Sequence, residues 1–337
     1  MARLHEWNPD LRETLPHVQL GSDPTPVRPL PGLDRGVAPI WLKDDGAFGD
    51  GGWGGNKVRK LEWLIPDAKR RGRQTILTVG GLGTNWGLAT ALYGREQGLD
   101  VAMGLVDQPI DDHVRDQLER LKRSGATLYF TRTKPRTILS VPWLYLVRHA
   151  KGGRPPYTLS AGGSSPVGVL GYVEAALEIA AQVDSGELPE PGHVIVPVGT
   201  GGTVAGLLLG FSIAGLPTRV VGVIVNDQLR LNQRSVTKLA RRTARLIDRR
   251  ATRGGDRSRQ VPDFEESNLI LTRDWLGRGY GHSTPEGEAA QAESIDGANL
   301  KLDPVYTAKS MAALLRMNET GAFGEKPVLF LNTNGPR

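Results

Sequence analysis

The sequence predicts an α/β fold of mostly parallel sheets with helices covering both faces, and three observations carry that prediction. Short apolar, β-branched runs end in glycine or turn residues and alternate with stretches of helical periodicity, the pattern that βαβ units impose. The 337 residues, 39% hydrophobic, suffice for two domains, or one large one, around a substantial core. The 43 glycines and 23 prolines supply many tight turns, and no internal repeat or low-complexity linker interrupts the chain. Any domain boundary is therefore crossed by ordered chain.

In chain order, the opening MARLHEWNPDLRETLPHVQ mixes charges throughout and has no apolar segment, so no secretory leader is expected. Residues 54–64, GGNKVRKLEWL, run from a Gly-Gly-Asn turn into a helix with apolar positions Val58, Leu61, Leu64, Ile65 and Ala68. Pro66 should kink that helix, because it lacks an N–H and crowds the preceding turn. Strands are expected in TILTVGG (75–81), VAMGLV (101–106), ATLYFT (126–131), HVIVPVGTGG (193–202), RVVGVIV (219–225) and PVLFLNTNG (327–335). A second periodic helix is GYVEAALEIAAQV (171–183), and TPEGEAA (284–290) opens another with Pro285 at its first position. The longest apolar stretch, VAGLLLGFSIAGL (204–216), is too short to cross a bilayer.

Composition excludes several chemistries. The chain has no cysteine, hence no disulfide, thiolate nucleophile or Cys-ligated zinc, which fits a reducing cytoplasm. Its six histidines lack ligand spacing, so no metal is expected, and neither G-x-S-x-G nor H-E-x-x-H occurs. The formal charge of +6 is uneven: eleven Lys or Arg and three Asp lie between Asp227 and Arg259. Without interleaved aromatics or a binding motif, that segment reads as a solvated helix and loop rather than a nucleic-acid contact.

In parallel α/β sheets ligands bind where strand ends lead into helix N-termini. Three loops meet that rule: 80–87 (GGLGTNWG), 199–206 (GTGGTVAG) and 332–337 (NTNGPR). In the second, bare glycines let backbone N–H groups approach an anion, and Thr200 and Thr203 add hydroxyls. Val204 stands where a dinucleotide fingerprint needs glycine, so a phosphate monoester fits best. The first loop repeats the design with Thr84 and Asn85 opening a helix, either as plain N-caps or as part of a grip on a substrate carboxylate. Lys57 is either a solvated cation beside Arg59 and Lys60 or a desolvated amine, beside Asn56, with a lowered pKa. A phosphate loop, a carboxylate loop and such an amine together describe an amino-acid site built on pyridoxal phosphate.

With these residues in view the chain resembles the fold-type II pyridoxal-phosphate enzymes, specifically the 1-aminocyclopropane-1-carboxylate deaminase and D-cysteine desulfhydrase family. The similarity runs in order through LGSDPTPVRPLPGL (20–33), WLKDD, GGNKVRKLEWLIPDAKRRG, AGGSSPVGVLGYVEAALEI (161–179), GTGGTVAG, RGYGHSTPEGEAA, LDPVYTAKSMAALL (302–315) and VLFLNTNG. The GGNK-x-RKLE and LDPVY-x-x-K-x-M patterns are the specific ones. The resemblance implies a tryptophan synthase β-like fold of two domains, each an open, mostly parallel twisted sheet flanked by helices. Residues 1–58 and 172–337 would form the large, cofactor-binding domain and 59–171 the small one.

The resemblance also implies roles. Lys57 would form the Schiff base with pyridoxal 5'-phosphate and shuttle protons. Asn85 would hold the ring hydroxyl, and Gly199, Thr200, Gly201, Gly202 and Thr203 the phosphate. Thr84 stands at the family's catalytic serine, Tyr280 and Tyr306 at its two active-site tyrosines, and Thr333, with Thr307 close by, faces the pyridine nitrogen. Thr84, Asn85 and Trp86 would meet the substrate, a small amino acid. The implied activity is proton abstraction at Cα and β-elimination, releasing ammonia and a 2-oxo acid as a D-cysteine desulfhydrase does. Cyclopropane ring opening is the alternative enzyme reading. A cofactor-binding protein, or a basic protein binding an acidic partner without turnover, is the alternative of another class. A cytoplasmic homodimer that engages neither membrane nor nucleic acid is expected.

Departures from the family pattern bear on the substrate. The family turn reads Ser-Asn followed by Gln or His, whereas this one reads Thr84-Asn85-Trp86, with Gly83 where Gln is common. An added Trp53 follows Lys43-Asp44-Asp45, and the sequence ends at Arg337 where the family pattern continues. After Pro304-Val305-Tyr306 the deaminase branch carries glutamate, and the desulfhydrase branch, like this chain, carries threonine. A carboxylate there would keep the ring nitrogen protonated. A hydroxyl from Thr307 or Thr333 offers only a neutral hydrogen bond, so elimination is expected over ring opening.

Overall fold

A computed structural model of the protein describes residues 1–49, 55–110, 112–254 and 260–333. Trp53 and residues 334–337 therefore lie outside the described residues. The chain opens with two short helices, α1 (Arg3–Trp7) and α2 (Leu11–Thr14), then strands β1 (Val27–Pro29) and β2 (Ile40–Asp44). Helix α3 (Val58–Arg70) leads into β3 (Thr75–Gly81), α4 (Asn85–Glu96), β4 (Asp100–Val106), α5 (Asp112–Arg123), β5 (Thr127–Arg132), α6 (Lys134–Gly152) and β6 (Tyr157–Thr158). There follow α7 (Pro166–Asp184), β7 (His193–Val198), α8 (Gly202–Ala214), β8 (Arg219–Ile224), α9 (Gln233–Gly254), β9 (Leu269–Thr272), α10 (Pro285–Ala298), α11 (Thr307–Glu319) and β10 (Val328–Asn332).

Two sheets result. Six strands in the order β1-β2-β10-β7-β8-β9 are parallel except for β1, and four in the order β5-β4-β3-β6 are all parallel. All six strands expected from the sequence form. β1, β2, β6 and β9, short or poorly patterned, were not expected.

The core explains the continuous apolar runs. All of β7 is buried, and α7 and α8 are apolar on nearly every side because they pack against each other. Gly206 and Gly210 make that contact close: a Cβ there would come within 2.4 Å of Tyr172 and 2.5 Å of Ala176. Among the described residues α7 is the one helix long and apolar enough to cross a membrane, and it is the mostly buried core helix of this fold.

Pro66 does not break α3, which continues to Arg70. The proline leaves the Glu62 carbonyl without its intrahelical donor, and Val18 N–H donates to it at 3.0 Å. The Glu62 carboxylate accepts from Leu20 and Gly21 N–H nearby, so α3 anchors the incoming chain. A buried ionic network ties the layers together. Lys43 on β2 donates to Glu178 of α7 at 2.6 Å, and Arg59 of α3 pairs with Glu178 at 2.9 Å and with Asp45 at 2.6 Å. On α9 one face buries Val236, Ala240, Thr243, Ile247 and Ala251. Its cations Arg234, Lys238, Arg241, Arg242, Arg245 and Arg249 are exposed, and residues 255–259 of the basic segment lie outside the described residues.

Candidate active site

The parallel strands of the six-stranded sheet end at Asp44, Asn332, Val198, Ile224 and Thr272 on one edge. The next residues carry Asp45, Thr333, the 199–203 loop and Asp227 onto that edge. Lys57 ends a 3-10 turn, Gly55–Lys57, and caps α3. Its Nζ donates to Asn56 Oδ1 at 3.1 Å. Asn56 is oriented in turn: its Nδ2 donates to the Tyr172 hydroxyl, which donates to Asp45 Oδ2, both at 2.8 Å. Burial lowers the Lys57 pKa to about 8, against the pull of Asp303 and Asp45, which favour the charged form. The lysine is thus an amine within reach of deprotonation near neutral pH, held from behind by a buried chain of hydrogen bonds.

The anion cradle forms at the start of α8. Gly201 adopts φ +83°, a left-handed conformation suited to glycine, and leaves the helix without a side-chain cap. The first N–H groups of α8 therefore lack that usual partner and carry the positive end of its dipole. Thr200 Oγ1 lies 2.6 Å from Ser164 Oγ, and a Cβ at Gly202 would meet Ser164 Oγ at 2.5 Å and Lys60 Nζ at 3.0 Å. Lys60, which the solvated reading of this helix start would put in water, is only 1% exposed and donates to Gly162 carbonyl at 2.9 Å. Burial, and secondarily the Lys57 charge, lowers its pKa well below the ordinary value. No carboxylate pairs with it among the described residues. A phosphate dianion supplies the charge this arrangement lacks, so the cradle fits the phosphate of the implied cofactor. Its spacing of three from Lys57 was the sequence signal that both lysines share one helix face.

The 80–87 turn is built differently from expectation. Thr84 caps α4, its Oγ1 accepting from Gly87 N–H at 3.0 Å. Asn85 follows half-buried, with Oδ1 accepting from Gln117 Nε2 at 2.7 Å. Trp86 does not line a substrate pocket. It is 3% exposed and donates its indole N–H to Thr78 Oγ1, with its ring edge against Gly163. A large apolar ring gains more under the 161–163 turn than at a wet site. Gly83 has a reason too: a Cβ there would press on Val114 of α5 at 2.9 Å.

The two tyrosines meet. Tyr280 and Tyr306 hydroxyls are 2.6 Å apart with their rings edge to face, and Tyr306 lies against Gly199 of the cradle. Burial, then Tyr280, raises the Tyr306 pKa, so its phenol stays protonated. Asp303 holds this corner, accepting from the N–H groups of Val305, Tyr306 and Thr307. Thr307 is corrected here. Fully buried, its hydroxyl accepts from Asp303 N–H and donates to Asp303 Oδ2, both at 2.8 Å, so it is committed to holding Asp303 at the start of α11. Thr333 follows β10 half-buried on the same edge, and Thr203 lies in the first turn of α8. The sequence reading missed Lys60, Gln117, Tyr172, Ser164 and Asp303. Of these, Lys60, three residues from Lys57, and Asp303, an acid just ahead of a helix, had a recognisable local signal.

An amine poised near pH 8 beside a cradle for a dianion suits a protein that keeps a phosphorylated carbonyl compound, and this defines its class as an α/β enzyme built around such a cofactor. The chain belongs to the pyridoxal-phosphate dependent enzyme family, which matches residues 18–334. It is 32% identical over 326 residues to a D-cysteine desulfhydrase of Klebsiella pneumoniae (strain 342), covering 95% of this chain and 94% of that one. It is also 32% identical over 331 residues to a putative 1-aminocyclopropane-1-carboxylate deaminase of Pyrococcus horikoshii, covering 95% and 92%. A crystal structure of an ACC deaminase homologue superposes with TM-score 0.79 at 28% identity, covering 100% of this chain and 95% of that one.

Proposed function

We propose that this pyridoxal-phosphate enzyme is a lyase that eliminates a leaving group from Cβ of a small amino acid, in the manner of a D-cysteine desulfhydrase. The observation that carries the reading is Lys57, a half-buried amine whose pKa desolvation lowers to about 8 and whose Nζ is held by Asn56. Bound pyridoxal phosphate would withdraw electrons from the substrate and acidify Cα–H. Lys57 takes that proton. The Tyr280–Tyr306 pair, with Tyr306 protonated, returns a proton to the group leaving Cβ. Water then releases the 2-oxo acid and ammonia. Lys60 and residues 199–203 hold the phosphate, Asn85 the ring hydroxyl and Thr333 the ring nitrogen. Thr84, whose hydroxyl hydrogen is left over after capping, meets the substrate carboxylate.

Ring opening of the cyclopropane substrate is the second reading, favoured by the Pyrococcus relative. Elimination is preferred because the ring-nitrogen contact we assign, Thr333, is a neutral hydroxyl. The same reading includes division into a large domain (1–58, 172–337) and a small one (59–171), a cytoplasmic location and a homodimer. The reconstituted protein should release pyruvate from D-cysteine or β-chloroalanine and little 2-oxobutyrate from the cyclopropane substrate, and borohydride should fix the cofactor on Lys57. Robust 2-oxobutyrate release, or label on Lys60, would sink it.

A further inference from the structure

We infer that Gln117 is a positioning residue that fixes which end of the Asn85 carboxamide faces the cofactor, and so favours the ionised form of its ring hydroxyl. The inference rests on the reading that Asn85 holds that hydroxyl. A carboxamide has an acceptor end and a donor end, and engaging one turns the other outward. Gln117 Nε2 donates to Asn85 Oδ1 at 2.7 Å, so the acceptor end of Asn85 is turned towards α5. Its Nδ2 is the other branch of the carboxamide, on a half-buried residue, and can only donate. Whatever it meets must accept, and although both forms of a ring hydroxyl can accept, the donated bond favours the phenolate because it is stronger to the charged form.

Two further features show that this contact is built in. Gln117 is 3% exposed on α5, and Val114, one turn earlier on the same face, packs where Gly83 leaves no side chain. The helix is therefore held tightly over the turn. Second, the Gln117 carbonyl oxygen is buried without a hydrogen-bond partner among the described residues. Turning both amides over would pair that carbonyl with Asn85 Nδ2 and present an acceptor to the site. That exchange would also put Gln117 Nε2 where its carbonyl now is, so one end of Gln117 goes unpaired in either orientation and the contact with Asn85 is the hydrogen bond that both keep.

The test titrates the visible absorption of the holoenzyme with pH and measures cofactor dissociation for wild type, Gln117→Glu, Gln117→Leu and Asn85→Ala. A glutamate can only accept, so Asn85 must donate to it and present its carbonyl to the ring. The apparent pKa of the bound cofactor should then rise by about one to two units, the equivalent of one lost hydrogen bond to a charged group. Cofactor dissociation should rise by about tenfold or more on the same basis. Gln117→Leu frees Asn85 to turn either way and should shift both quantities less, and it keeps the test informative if the glutamate variant misfolds. An unchanged titration in both Gln117 variants, with Asn85→Ala shifted, would overturn the positioning role. An Asn85→Ala protein that titrates as wild type would instead overturn the assignment of Asn85 itself.

Discussion

Two lysines three residues apart illustrate how burial decides chemistry. Both are desolvated, but Lys57 has Asp303 and Asp45 to support its charge, whereas Lys60 has a carbonyl, the Tyr172 ring 6.0 Å away and the repulsion of Lys57. For Lys57 the sign is simple. Its folded pKa of about 8 lies below the ordinary 10.5, so the free amine predominates above pH 8 and the ammonium below. Covalent capture of added pyridoxal phosphate by the apoprotein should therefore speed up with pH and level off just above 8. Stopped-flow absorbance would show this, and a midpoint near 10 would contradict the burial argument. Lys60 leads to a pair of opposite effects. Replacing it with methionine removes a buried amine whose charged form burial and Lys57 disfavour, so apo Tm should rise. The same change removes a partner for the phosphate, so the cofactor should dissociate more readily. If Lys60 served packing alone, Tm and affinity would fall together.

At the scale of elements, caps do much of the placing. Thr84, Ser165 and Thr284 each accept from a backbone N–H three residues on, at Gly87, Gly168 and Gly287, and Asp303 does the corresponding work ahead of α11. Thr84→Val should thus lower stability by ~1 kcal/mol, while Thr84→Ser should retain the cap. Loss of turnover by roughly a hundredfold in the valine variant, far beyond what the cap explains, is expected if the hydroxyl also meets substrate. Denaturant unfolding and oxo-acid release measured on the same samples separate the two roles. The caps at Thr84 and Thr284 were legible in the sequence, because a hydroxyl residue before a helical run is a local signal. Gln117, Tyr172 and Ser164 were not. Each acts across a gap set by packing, with Gln117 reaching Asn85 over 32 positions and Tyr172 reaching Asp45 over 127. Trp86 and Thr307 were misread for the same reason: a position beside the site says nothing about which way the side chain turns.

For the whole molecule, the parallel sheets were legible because alternation of strand and helix is a repeated, long-range pattern, and the C-terminal strand edge then located the site. The short strands β1, β6 and β9 carry too few residues to show a period. The homodimer expected from the resemblance would leave a different mark. On α6, Ile138, Leu139, Trp143 and Leu146 are 72%, 78%, 57% and 64% exposed, and positions 139, 143 and 146 share one face. A contiguous apolar patch of this kind marks an interaction surface. A second copy is the occupant that needs no further partner, since a two-fold contact uses the same patch twice. Antiparallel pairing about Trp143 would set Leu139 of one copy against Leu146 of the other. It would also bring the basic ends of α6, Lys134 and Arg136 against His149 and Lys151, near one another. That repulsion is screened by salt, whereas apolar contact is not weakened by it. Light scattering after size exclusion should therefore show a dimer that tightens as salt is raised, and Leu139→Asp with Trp143→Asp should yield monomers that still bind the cofactor. A wild-type monomer at every concentration, or a dimer indifferent to both substitutions, would remove α6 from the interface.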